Sequence, residues 1–140
     1  MKKKIKVILA DDHQNILKSI TYLLRTAQNI EVVATAENGE KAVALVKSAH
    51  PDVLILDVDM PKLNGLQVSA RMKALETDVK IIFFSIYDEP VIVRAAFHQG
   101  AQGYVLKNRA TTDLIKAVQT VNEGEVFISE PIAEYVDEFN

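Results

Sequence analysis

The chain has 140 residues and a mass of 15.6 kDa, about the usual size of one globular domain. Hydrophobic residues make up 49% of it and charged residues 25%, which excludes a disordered or fibrous chain. A net charge of −3 makes the domain a poor candidate for binding nucleic acid by itself, because phosphate neutralisation needs a cationic face. The chain has no cysteine, and its three histidines are not paired at ligand spacing, so disulfides, thiol nucleophiles and zinc sites are excluded.

The amino terminus is basic but does not form a targeting signal. The apolar stretch after Lys4 is interrupted by Lys6 and ends at Asp11 and Asp12, so it lacks the continuous core of a secretory signal. No apolar run approaches the ~20 residues that a membrane-spanning helix requires. We therefore expect a soluble, cytoplasmic protein that makes no membrane contact.

Five short apolar runs rich in β-branched residues predict five strands. In chain order they are residues 5–9, 30–36, 53–56, 81–84 and 104–106. The third and fourth runs are unbroken rather than alternating, which is typical of strands that are covered on both faces in a parallel sheet.

Apolar residues at helical spacing follow each run and predict five helices. Leu17 and Ile20 belong to the first stripe, and Leu114 and Val118 belong to the last, whose predicted N-cap is Thr111. A strand followed by a helix, five times over, predicts an α/β fold with a doubly wound, five-stranded parallel sheet and five helices. Ligands of such folds bind beyond the carboxyl ends of the strands.

Polar side chains with complementary charges follow the predicted strands at these ends. Asp11 and Asp12 follow the first strand, Asp57 the third, Ser85 the fourth and Lys107 the fifth. If the first and third strands are neighbours, three carboxylates crowd one small space and repel each other, which implies a cation. Oxygen donors without histidine or cysteine favour Mg²⁺ or Mn²⁺, and Mg²⁺ suits a site that receives a phosphoryl group. Helix capping or turn formation explains any one of these aspartates, but not the whole set.

Four motifs carry a resemblance to a known family. They are Asp11-Asp12, residues 50–65 (HPDVLILDVDMPKLNG), Ser85 and residues 100–107 (GAQGYVLK). From about residue 4 to residue 123 the chain resembles the receiver domain of two-component response regulators. The last motif, which is not followed by proline, is most similar to the NarL/LuxR-type branch. The resemblance implies a flavodoxin-like sheet with strand order 2-1-3-4-5.

The resemblance also implies the chemistry of the acidic residues. Asp57 matches the phosphoacceptor, which takes a phosphoryl group from a phosphohistidine on a sensor histidine kinase. Asp12 matches the residue that binds Mg²⁺ directly and Asp11 the one that reaches it through water. Asp57 itself and the backbone carbonyl of Asp59 complete the implied metal ligands.

Three further residues match the groups that hold the phosphoryl oxygens and respond to them. Lys107 is expected to pair with the phosphoryl oxygens as a point charge, and Ser85 to hydrogen-bond one of them. Ser85 and Tyr104 match the family's switch pair, in which the aromatic ring turns inward when the hydroxyl residue moves toward the phosphoryl group.

The chain departs from the family pattern at three places. Ile86 stands where receivers usually have a small residue, which predicts narrower access to the phosphoryl group. Asp59 and Tyr87 occupy positions that tune hydrolysis in the family, so the lifetime of the phosphorylated state is not transferable. Asn108 replaces the usual proline after Lys107, and because a cis peptide without proline costs ~3–4 kcal/mol, a trans peptide or a distorted loop is predicted.

The predicted organisation is a receiver domain over residues 4–124 followed by a linker or short C-terminal helix over residues 125–140. Ile132, Tyr135, Val136 and Phe139 suggest that helix, although a frayed tail is an equal alternative. We expect the tail to lead to a helix-turn-helix output domain outside this chain, through which DNA would be contacted to control transcription. A homodimer is compatible with this prediction, and a stand-alone receiver that acts by protein contact is the alternative.

Two other classes of protein compete with this interpretation. Asp57-Val58-Asp59 also resembles the Asp-x-Asp of haloacid-dehalogenase-type phosphohydrolases, but Pro61 and the position on the third strand do not fit. A flavodoxin-like flavin binder is disfavoured because Asp11 lies where a flavin phosphate would need hydroxyls and amides. We therefore expect no enzymatic activity beyond the domain's own phosphorylation and dephosphorylation.

Overall fold

The computed structural model describes residues 3–134. Its six strands form one parallel sheet in the order β2-β1-β3-β4-β5-β6. The strands are β1 (Ile5–Ala10), β2 (Ile30–Ala36), β3 (Val53–Leu56), β4 (Lys80–Ser85), β5 (Gly103–Leu106) and β6 (Phe127–Ile128). The helices are α1 (Gln14–Arg25), α2 (Gly39–Ala49), α3 (Gly65–Ala74), α4 (Pro90–His98) and α5 (Ala110–Asn122), with 3-10 turns at Lys107–Arg109 and Glu130–Ile132.

Helices cover both faces of the sheet, as the unbroken apolar strands predict. The first core cluster, on one face, joins the sheet to α2, α3 and α4, and the second core cluster, on the other face, joins it to α1 and α5. All four residues of β3 are fully buried, and they alternate between the two clusters. This alternation is what a central strand of a doubly wound sheet requires. Among residues 3–134 no helix is long and apolar enough to cross a membrane.

The prediction of five strands is wrong, because a sixth strand extends the sheet beyond β5. β6 has only two residues, and Gly103 pairs with Phe127 and Tyr104 with Ile128. So short a strand has no periodic pattern of its own, and its position depends on contacts that the following residues make with β5 and α5. The suggested helix with Tyr135, Val136 and Phe139 lies outside the described residues.

The start of α5 also differs from the prediction. The 3-10 turn Lys107–Arg109 runs directly into α5, so Arg109 occupies the N-cap position and Thr111 lies inside the first turn. Arg109 donates from Nε to Asp113 Oδ2 at 2.9 Å, an ion pair one turn apart that holds this junction. The predicted trans peptide after Lys107 is confirmed, since the described residues contain no cis peptide bond.

Candidate functional site

The carboxyl ends of β1 and β3 bring an acidic cluster together. Ligand atoms of Asp11, Asp12, Asp57 and His13 all lie within 4.8 Å of one another. Asp11 is fully buried and Asp57 is 4% exposed, whereas Asp12 faces solvent. The strand order explains the convergence, because β1 and β3 are hydrogen-bonded neighbours and Ala10 pairs with Leu56 directly before the aspartates.

Lys107 reaches this cluster from the end of β5. Its Nζ lies 2.8 Å from Asp11 Oδ2 and 3.1 Å from Asp57 Oδ2, and its side chain is 14% exposed. Burial opposes the ammonium charge, but the hydrogen bond to Asp11 and the attraction of Asp57 outweigh it and raise the pKa of Lys107. The lysine therefore stays protonated and balances part of the acidic charge.

The carboxyl group of Asp57 is the most strongly perturbed acid of the cluster. Burial raises its pKa to about 6, and repulsion from Asp11 acts in the same direction while the ammonium of Lys107 opposes both. At neutral pH the group is still mostly ionised and remains a nucleophile. Because burial removes water from this carboxylate, its negative charge depends on a neighbouring cation more than that of an exposed carboxylate does.

The loop after β3 depends on a glycine at the start of α3. A Cβ on Gly65 would lie 2.1 Å from the backbone oxygen of Asp57, so any other residue displaces the phosphoacceptor candidate's own peptide. The Gly65 N–H donates to the Val58 carbonyl at 2.7 Å and closes the loop. Asn64 then caps α3 through a capping box with Gln67.

Asp59 lies at the rim of the site rather than within the acidic cluster. Its backbone N–H donates to Asp57 Oδ1 at 3.4 Å, and its carboxylate accepts a hydrogen bond from the hydroxyl of Tyr87. The loop after β3 is thereby joined to the loop after β4. The metal-binding role expected of the Asp59 carbonyl stays a prediction.

Ser85 and Tyr104 are connected through the main chain of Tyr87. Ser85 is fully buried, and its Oγ accepts from the Tyr87 N–H at 3.0 Å. The ring of Tyr104 is also fully buried, stacks on Phe83 with centroids 6.3 Å apart, and donates from its hydroxyl to the Tyr87 carbonyl at 2.8 Å. Burial raises the pKa of Tyr104 to about 12, so the hydroxyl is a donor throughout the physiological range.

Two further residues, His13 and Ile86, lie at or beside the site. His13 places Nδ1 3.0 Å from Asp11 Oδ1 and 3.1 Å from Asp12 Oδ1, and the hydrogen bond to Asp11 raises its pKa. The spacing of the three histidines does not predict this contact, whereas the position of His13 directly after the acid pair does indicate it. Ile86 is 71% exposed and, with Lys107, lines a depression of about 210 Å³, and the narrower access expected of it stays a prediction.

Comparison with known proteins identifies the family. Residues 7–119 match the family model of the response regulator receiver domain. The chain belongs to that family. It is a signalling family rather than a catalytic one, and the phosphohydrolase alternative finds no support.

The similar proteins place this receiver in the NarL/LuxR-type branch. The chain is 38% identical over 125 residues to the transcriptional regulatory protein DegU of Brevibacillus brevis, covering 89% of this chain and 53% of that protein. It is 34% identical over 126 residues to the nitrate/nitrite response regulator NarL of Escherichia coli K12, covering 90% of this chain and 58% of the relative. The chain thus spans little more than half the length of these curated relatives.

Solved receiver structures share the fold. The signal receiver domain of the putative response regulator NarL from Mycobacterium tuberculosis superposes with a TM-score of 0.86 at 35% identity, covering 89% of this chain and all of that one. The isolated receiver domain of RcsB from Salmonella enterica, determined with the phosphomimetic BeF₃⁻, gives a TM-score of 0.87 at 29% identity, covering 95% and 99% of the two chains.

Proposed function

We propose that Asp57 accepts a phosphoryl group from the phosphohistidine of a sensor histidine kinase. The observation that carries the proposal is the buried Asp57 carboxylate, which lies against the Lys107 ammonium and beside the Asp11-Asp12 pair. A carboxylate oxygen of Asp57 would form the new bond to phosphorus while the bond from phosphorus to the donor's imidazole nitrogen breaks. Lys107 then exchanges a carboxylate partner for phosphoryl oxygens, which keeps its charge compensated.

The acidic cluster fits a hard divalent cation. Asp11, Asp12 and Asp57 offer carboxylate oxygens within one ion's reach, whereas the single lysine balances only part of their charge. We assign direct metal contact to Asp12, Asp57 and the Asp59 carbonyl, and contact through water to Asp11. Bound Mg²⁺, or Mn²⁺ in its place, would supply charge neutralisation for the transferred group.

Ser85 and Tyr104 form the proposed switch. Ser85 would hydrogen-bond a phosphoryl oxygen, and Tyr104 would report its movement through the hydrogen bonds that both residues make with Tyr87. The change would be a shift between conformations that differ in their contacts with the phosphoryl group. The face bounded by α4, β5 and α5 carries these elements and is the proposed output surface.

The output is proposed from the relatives. Because several of them are named transcriptional regulators and are longer than this chain, we propose that residues 4–124 are the receiver and residues 125–140 a linker to a DNA-binding domain. Structures of RcsB dimers on DNA make a homodimer part of this proposal. Family membership also supports a cytoplasmic location, where the kinase's catalytic part is accessible.

The direct test is metal-dependent phosphorylation by a small donor. The protein is incubated with acetyl phosphate with and without Mg²⁺, and its intact mass is measured. We expect the mass of one phosphoryl group to be added with Mg²⁺ only. Addition that is equally fast with a chelator present, or in an Asp57→Asn variant, would contradict the proposal.

A further inference from the structure

Residues 127–132, the C-terminal strap, extend the sheet past its fifth strand. The Phe127 N–H donates to the Gln102 carbonyl and the Ser129 N–H to the Tyr104 carbonyl, both at 3.0 Å. Phe127 packs with the second core cluster and Ile128 with the first, on opposite faces of the sheet. The strap is therefore bound by backbone pairing and by apolar contacts on both faces.

Ser129 is seated in a built polar pocket. It is fully buried, and its Oγ accepts from the Leu106 N–H at 3.1 Å and donates to Asp113 Oδ2 at 2.7 Å. Asp113 is 5% exposed, and the same carboxylate oxygen accepts from Arg109 Nε. Removing the serine hydroxyl would leave a buried backbone donor and a buried carboxylate oxygen each without one hydrogen-bond partner. Such a loss is destabilising because the buried groups cannot bind water instead.

The strap contacts the segment that carries Tyr104 and Lys107. Leu106, which donates to the strap, directly precedes Lys107, and Arg109 lies two residues after it. The carbonyl that accepts from Ser129 belongs to Tyr104. Ile132 is 1% exposed and lies in the same apolar cluster as the Tyr104 ring. Docking of the strap thus fixes the backbone on either side of Lys107 and covers the cluster that encloses Tyr104.

We propose that docking of the C-terminal strap and occupation of Asp57 stabilise each other, an inference that rests on the proposed function. The docked strap keeps the Lys107 peptide ordered and Tyr104 enclosed. Binding of a phosphoryl group therefore costs less conformational entropy when the strap is docked. Thermodynamic linkage makes the effect reciprocal: whatever factor the strap adds to affinity at Asp57, occupation of Asp57 adds to docking of the strap. The segment leading to the proposed output domain is then held more firmly in the phosphorylated state.

The test uses beryllofluoride, a phosphoryl mimic, with Mg²⁺ on the whole 140-residue chain. Amide hydrogen exchange by NMR at Phe127 and Ser129 reports strap docking, and titration gives the beryllofluoride affinity. We expect exchange at these two amides to slow by roughly three- to tenfold on binding. Ser129→Ala should undock the strap, seen as faster exchange at Phe127, because it removes one or two buried hydrogen bonds, and it should then lose up to the same factor in affinity. Ser48→Ala, at an exposed serine on α2, is the matched control and should bind like the wild type.

A second variant weakens docking by a different contact. Ile132→Ala removes apolar packing and leaves the polar pocket intact, and it should lower beryllofluoride affinity in the same direction. Unchanged or faster exchange at Phe127 and Ser129 on binding in the wild-type chain, or wild-type affinity in a variant whose Phe127 amide shows the strap undocked, would overturn the coupling. If the wild-type chain bound no beryllofluoride at all, the proposed function itself would fail, which is a different outcome.

Discussion

The ammonium of Lys107 donates to the carboxylate of Asp57 across 3.1 Å, although 50 positions separate the two residues along the chain. The pair forms because β3 and β5 both end at the same edge of the sheet, on either side of β4. A positive charge held at this distance from a buried carboxylate is the feature on which the proposed chemistry depends.

Replacing Lys107 should destabilise the protein and Mg²⁺ should restore part of the loss. Lys107→Gln leaves the buried carboxylates of Asp11 and Asp57 without their cation, so we expect unfolding free energy to fall by about 3 kcal/mol without metal. Urea unfolding with and without Mg²⁺ measures both effects. Lys116→Gln, at an exposed lysine on α5, is the control, and an equal loss in the two variants would contradict the assigned pairing.

Asp12 should control the response of stability to metal. A ligand that binds only the folded state raises the midpoint of thermal unfolding, and Asp12→Ala removes a proposed ligand while also relieving repulsion in the cluster. We expect the variant to fold but to show little Mg²⁺-dependent shift of this midpoint. Asp78→Ala, at an exposed acid elsewhere, should respond to Mg²⁺ like the wild type. A wild-type shift in Asp12→Ala would exclude the metal role.

Asp57 should lower stability above its own pKa when no metal is bound. Its pKa rises from 3.8 to about 6 on folding, mainly through burial, so the folded state favours the neutral acid. The contribution of this preference to the free energy of unfolding is fully present below pH 3.8 and is lost as the pH rises through about 6. Asp57→Asn should therefore be more stable than the wild type above that pH, with the difference vanishing in acid. Unfolding curves across this pH range in chelator measure the difference, and a less stable variant at neutral pH would contradict it.

Gly65 should be irreplaceable for a reason distinct from backbone strain. In Gly65→Ala the new Cβ meets the rigid Asp57 carbonyl, and we expect a loss on the order of 3 kcal/mol together with impaired phosphorylation. Gly124 is the comparison, because its φ of +89° strains alanine but nothing lies near the added Cβ. Gly124→Ala should cost only about 1 kcal/mol. Equal losses by urea unfolding would mean that the close contact at Gly65 is not decisive.

The sequence predicted what regular patterns encode. Unbroken apolar runs located β3 and β4, and the placement of Asp57 after β3 and of Lys107 after β5 predicted a shared edge, since parallel strands end together. β6 was missed because two residues have no periodicity, and Ser129 binds only after Leu106 and Asp113 are in place. The prediction of Thr111 as the N-cap was wrong because the 3-10 turn Lys107–Arg109 runs directly into α5. That turn begins at Lys107, whose position depends on its tertiary contact with the acidic cluster.

The most direct test of the account is the chemical position of the phosphoryl group. After reaction with acetyl phosphate and Mg²⁺, borohydride reduction converts an aspartyl phosphate to homoserine, which peptide mass spectrometry then locates. We expect homoserine at position 57 and at no other aspartate, and none when the protein has not been phosphorylated. Homoserine at Asp11, Asp12 or Asp59, with Asp57 unmodified, would contradict it.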